Sequence, residues 1–237
     1  MKYSEKAKLN FFLVVSVIII VLNNIVLNDI PEIFNRGYEI GQVLSNLSLS
    51  FIASYIFYLV VVVAKDKRDK QNVLSIVYAL TRQLVGRAYS IYDNIAEAAG
   101  KANDTEGRHT VSSEEFLDLC LKGNPKDISP SRRLSINGAI REANFGELIV
   151  SNAFDNVKAL HRDVLTFQPY LDSEQVQLMS EMLNSSFFIM APSLADPHVT
   201  NENFSSYGAA AYAFIECTRR LDTYNEKHNR PYFKAAR

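Results

Sequence analysis

Neither sign of charge dominates this chain. Twenty-five Lys and Arg residues face 26 Asp and Glu residues, for a net charge of −1. Near-neutrality excludes a whole-chain field of the kind that draws a protein onto nucleic acid. Cysteine is nearly absent too: Cys120 and Cys217 stand alone, with no paired spacing for a metal, and both fall in a part expected to be cytoplasmic and reduced. The four histidines, His109, His161, His198 and His228, are scattered, and none has the i,i+4 partner of a helical zinc site. No glycine-rich phosphate loop, nucleophile elbow or paired-cysteine motif is present. Small helical nucleases of the HEPN type place an arginine a few residues before a histidine, and no histidine here has one four to seven residues upstream. These absences argue against an enzyme, a metal centre and a bound cofactor. Internal repeats and low-complexity tracts are also missing.

Long uncharged runs, by contrast, are present twice. Leu9–Leu27 and Leu44–Ala64 contain no charged side chain. A run of about 18 residues or more crosses the hydrocarbon core as a helix, whose backbone groups are all paired internally. A cleaved signal peptide is the alternative for the first run, since Lys2, Lys6 and Lys8 precede it. No small-residue cleavage site follows, however, and a second span comes soon after. Lys2, Lys6 and Lys8 before the first run, and Lys65, Lys67, Arg68 and Lys70 after the second, put both termini in the cytoplasm. The loop Asn28–Val43, with Arg36 as its only cation, lies outside. The expectation is a two-pass protein of the bacterial inner membrane. Its fold class is all-α, with a two-helix transmembrane hairpin (residues 1–64) followed by a cytoplasmic helical bundle (65–237).

Beyond Ala64 the apolar period is helical. Val73, Val77, Leu80, Leu84, Ala88, Ile91 and Ile95 define one face of a long helix that ends at Gly100. Lys101–Val111 is polar and reads as a loop. Ser112 and Glu115 form a capping box for a helix to Lys122, with Phe116, Leu117 and Leu121 as its buried side. The next helix starts near Arg133 or Asn144 and ends at Phe167, ahead of Pro169. Asp172 or Ser173 caps another, reaching Met190, and a last helix covers Phe204–His228. Strand signals are nearly absent outside the membrane.

The candidate functional residues are polar groups in the spans and paired arginines outside them. Asn23 and Asn24 lie near the outer end of the first span. Asn46, Ser50 and Ser54 lie four apart on the second, beside Ala53. Small residues at that spacing let helix backbones approach, and Asn and Ser bond across helices. Two uses are open: packing of the two spans against each other, or assembly of several copies around a wet path. Arg132–Arg133 and Arg219–Arg220 are candidate contacts to phosphate or to a partner, set against an ordinary role at a solvated face. The pair Glu114–Glu115 is explained by the helix N-terminus it occupies.

The segments Pro31-Glu32-Ile33-Phe34, Asn46-Leu47-Ser48-Leu49-Ser50 and Ile52-Ala53-Ser54-Tyr55-Ile56-Phe57-Tyr58 resemble those of bacterial proteins with two N-terminal spans. The plan is similar to the two-transmembrane effectors of anti-phage systems, in particular those encoded with a retron reverse transcriptase. That resemblance implies an effector held silent by an inhibitory protein or ribonucleoprotein complex, which on infection disrupts the inner membrane so that the cell dies. It covers the hairpin and the general plan and carries over no functional residue. A non-catalytic membrane adaptor that tethers a cytoplasmic partner is the competing expectation.

Overall fold

The computed structural model describes residues 3–23, 36–101, 106–136 and 139–235. It is mostly helical, with one small sheet. The chain divides into two compact units, Met1–Asp69 and Lys70–Arg237.

In the first unit, helix α1 covers Tyr3–Val21 and α2 covers Gly37–Phe57. Leu22 and Asn23 continue α1 as a widened turn, and a π-helical stretch, Tyr58–Val63, continues α2 into α3, Ala64–Ala98. The helix from Gly37 to Ala98 contains an 18-residue window of mean hydropathy 2.3, long and apolar enough to cross a membrane. The apolar part of α1, Ala7–Val21, is shorter than that, and the rest of its expected span, from residue 24 on, lies outside the described residues. Helices α1 and α2 run antiparallel. Asn23 pairs with Gly41 and Ser45 at one end, Phe12 meets Phe51 at 6.2 Å, and Tyr55 pairs with Asn10 at the other. Ser16, Ser45 and Ser48 are buried. A β-carbon on Gly41 would lie 2.5 Å from Asn23 Oδ1, so a larger residue there would have to displace the Asn23 amide.

The second unit is built around α3. Its buried stripe, including Val77, Leu84, Ala88, Ile91 and Ile95, follows the sequence period. Gly100, at φ 80°, turns the chain after it, a conformation that costs glycine no Cβ clash. Within the stretch expected to be a loop sits a short helix, α4, Gly107–Thr110. Helix α5, Ser113–Lys122, carries the Ser112–Glu115 capping box. Its buried side is Phe116, Leu119 and Cys120, whereas Leu121 is 59% exposed, contrary to the expected face.

Two expectations fail next. Arg133 does not begin a helix: residues Ile128–Ile136 (β1) and Ala139–Asn144 (β2) form an antiparallel pair, with Arg133 opposite Glu142 and Leu134 opposite Arg141. The helix starts at the other expected position, with Asn144 and Glu147 forming a second capping box for α6, Phe145–Ser151. A π-helical stretch, Asn152–Val157, leads into α7, Lys158–Leu165. The expected single helix to Met190 is two, α8 (Ser173–Leu183, capped by Asp172) and α9 (Ser186–Met190), broken at Asn184–Ser185. Helix α10, Ser205–His228, closes the core against α5, α8 and α9, and α11, Arg230–Ala235, follows.

Aromatic packing fills this core. Phe187 stacks on Phe214 at 5.1 Å, Phe188 meets the same ring edge-on, and Tyr92 stacks on Phe116. A buried amide chain ties three helices together. Gln175 donates to Thr81, Asn229 donates to Gln175 and Asn225, and Asn225 donates to the Tyr78 carbonyl. Each member satisfies another, so none is left unpaired in a low-dielectric interior.

Glycines of opposite kind test this packing. A β-carbon at Gly146 would sit 2.3 Å from the Leu194 carbonyl oxygen, whereas one at Gly86 meets nothing within 4 Å. Gly146→Ala is expected to lower unfolding stability by about 1–3 kcal/mol through overpacking. Gly86→Ala, in mid-helix, is expected to raise it by up to about 1 kcal/mol. Thermal melts of the full chain in detergent, followed by circular dichroism, read both. Equal effects would contradict the close approach of α6 to the turn at Leu194.

Candidate functional site

The polar groups of the apolar helices separate into two sets. Asn23 donates to the Gly41 carbonyl at 2.8 Å and to Ser45 Oγ at 2.7 Å, and thus works in the α1–α2 seam. Asn24 lies outside the described residues. Asn46, Ser50, Ala53 and Ser54 are all exposed. The seam instead uses Gly41, Ser45 and Ser48, so of the two uses open for the Asn46 stripe, packing against α1 is not the one seen among the described residues. Each residue turns a helix by about 100°, which separates Ser45 from Asn46. What remains open on α2 is a polar stripe among exposed apolar residues such as Leu47 and Phe57.

The four arginines do not converge on one site. Arg132 on β1 donates to Asn94 Oδ1 at 2.6 Å and lies 3.6 Å from Glu97, which also accepts from Ser129 and Ser131. Its guanidinium fastens the sheet to α3. Arg133 is exposed on the opposite face of β1. Arg219 donates to the carbonyls of Arg108 and Val111, at 2.9 and 3.1 Å, and pairs with Glu216. It satisfies the orphan acceptors at the end of α4, a task that Arg's forked donors suit. Arg220 pairs with Glu181 at 2.8 Å, linking α10 to α8.

Two constellations escaped the sequence. In the first, α4 docks on the ring of Tyr89, with Arg108 5.4 Å above it and His109 edge-on at 4.8 Å. Asp93 lies 3.9 Å from Arg108 and Asp222 lies 4.0 Å from His109. Burial pushes the Asp222 carboxyl above its ordinary range, against the opposing pull of His109, and burial likewise raises the Tyr89 phenol. The Tyr89 hydroxyl is buried without a hydrogen-bond partner. Arg108, over the Tyr89 ring and beside Asp93, thus helps to fix a four-residue helix on α3.

In the second, His161 on α7 is 7% exposed and borders a pocket of about 250 Å³ whose other walls are Leu165, Gln168, Val176, Ser180, Leu183 and Asn184. Burial lowers the imidazole pKa, so the ring is neutral at pH 7, and its Nε2 has no partner. Cys120 is buried, and burial pushes its thiol up to about 12, which makes it unreactive. Among the described residues no group of three His, Cys, Asp or Glu side chains is placed to hold a metal. No protein family, curated protein or solved structure matches the chain.

Asp172 is the titrating group whose stabilising role is clearest. Burial raises its pKa, but a hydrogen bond from the Tyr224 hydroxyl and the Gln175 backbone N–H outweigh this and hold the carboxyl below its ordinary value. A carboxylate lowered in this way stabilises the fold above its unfolded pKa of about 4, and the contribution is lost as pH falls through the folded value. Asp172→Ala is expected to cost about 1–2 kcal/mol at pH 7 through the lost cap and phenol bond. Asp172→Asn, which keeps a cap acceptor, should cost less and flatten the fall in melting temperature between about pH 5 and pH 3. An unchanged acid slope in Asp172→Asn would contradict the linkage.

Proposed function

We propose that this protein is a membrane-anchored, non-catalytic effector that assembles with copies of itself in the bacterial inner membrane and breaches it when released from an inhibitory partner. The anchor crosses twice, with both termini in the cytoplasm. The helical unit Lys70–Arg237 receives the inhibitory protein or ribonucleoprotein, a reverse transcriptase complex being the kind the resemblance implies. One observation carries this reading. The apolar helix Gly37–Val63 leaves Asn46, Ser50, Ala53 and Ser54 uncovered. In hydrocarbon, the amide of Asn46 lacks water to bond, and a second copy presenting the same stripe supplies the missing partners. Two helices enclose no lumen, whereas several α1–α2 pairs around a common axis do.

Expression without neighbouring genes is expected to depolarise bacterial cells or admit propidium iodide. Ser50→Leu with Ser54→Leu should abolish that while the protein still inserts, because bulk on the stripe keeps helices apart. Reporter fusions after Gly37 should read outside the cytoplasm, and those after Lys70 or Arg237 inside. Intact potential and dye exclusion at verified wild-type expression would replace the effector with the tethering adaptor. A cytoplasmic signal at Gly37 would remove the two-pass anchor.

A further inference from the structure

Two basic segments far apart in sequence meet at one end of the first unit. Because Asn10 bonds Tyr55 at 2.6 Å while Asn23 bonds Ser45, α1 and α2 are antiparallel. The start of α1, with Lys8, therefore lies at the same end of the pair as the stretch that leaves the apolar helix at Lys65, Lys67 and Arg68. All four cations are exposed. Whereas Arg141 is bound to Glu147 and Arg220 to Glu181, no ion pair within 4.0 Å commits these four to a carboxylate among the described residues. Lys65, Lys67 and Arg68 outnumber Asp66 and Asp69, the acids on the same turns of the second helix.

We infer that this end of the α1–α2 pair binds the phosphate headgroups of anionic phospholipids. The inference rests on the membrane reading above and adds a partner to it. Lys65–Arg68 occupies about 5 Å of helix axis, comparable to one headgroup layer, which is about 5–8 Å deep. Basic clusters at the end of a span attract acidic lipid, and the attraction is screened by salt. The ligand is a lipid phosphate: the cations line the rim of a helix pair and do not surround a closed pocket.

The test uses the full chain in phosphatidylcholine vesicles containing spin-labelled phosphatidylglycerol or spin-labelled phosphatidylcholine. Electron paramagnetic resonance reads the lipid immobilised by protein. Phosphatidylglycerol is expected to be preferred by about three-fold or more at low salt, falling toward no preference in about 0.5 M NaCl. Replacing Lys8, Lys65, Lys67 and Arg68 with Gln should erase the preference. Asp66→Asn with Asp69→Asn should increase it, a gain that misfolding cannot produce. Immobilised lipid without preference overturns the headgroup assignment alone. No immobilised lipid at all overturns the membrane reading and this assignment with it. Loss of preference in sodium phosphate but not in chloride of equal ionic strength would mean that the cations hold free phosphate, and it too overturns the assignment.

Discussion

Hydrogen bonding along one helix, from Gly37 to Ala98, joins two stretches whose side chains require different solvents. Up to Val63 nearly every apolar side chain is uncovered: Leu47, Phe57 and Val60 are each more than 60% exposed. Past Lys70 the same helix is amphipathic, with Val77, Leu84, Ala88 and Ile91 at 0% exposure beneath a charged outer face. Contiguous exposed apolar surface of this extent is uncommon on soluble proteins, and the helix is long and apolar enough to cross a membrane. A hydrocarbon surround removes the cost and imposes its own demand, that every polar group find a partner within the protein.

The polar contacts of the first unit meet the demand that the proposed membrane setting would impose. Asn23 and Asn10 are not ornaments of an apolar pair; each closes a hydrogen bond to the facing helix near one end of it. Buried Ser16, Ser45 and Ser48 are small enough for close approach between them. Among the described residues the stripe led by Asn46 has no such partner, and the proposed self-association would supply one. The second unit solves its polar problem differently, by enclosing Thr81, Gln175, Asn225 and Asn229 in a connected amide chain that fixes how α3, α8 and α10 meet.

Elements with a strong period and a local stop signal were legible in the sequence. The long helix ending at Gly100, the capping box at Ser112 and the span of α10 all combine both. The sheet was not: Asn137-Gly138 is the two-residue hairpin signal, but the sequence admits a helix starting near Arg133 as readily. The break at Asn184–Ser185 lacks any Gly or Pro. On α2, neighbouring residues Ser45 and Asn46 are both polar and 100° apart, so composition alone does not say which one meets α1. The buried amides were missed because Asn225 and Asn229, four residues apart, resemble the ordinary polar end of a helix. Arg219 and Arg132 were recognised as special, but their donors are directed at carbonyls and amides of the protein itself.

The central claim is that lipid covers the helix that the protein leaves bare. A nitroxide introduced by Val60→Cys, in a chain carrying Cys120→Ala and Cys217→Ala and reconstituted in vesicles, reports its solvent by collision with oxygen and with a water-soluble nickel chelate. The account predicts frequent oxygen collisions and rare nickel collisions at residue 60, reversed when the label is moved to residue 68 by Arg68→Cys. Frequent nickel collisions at both positions would contradict it.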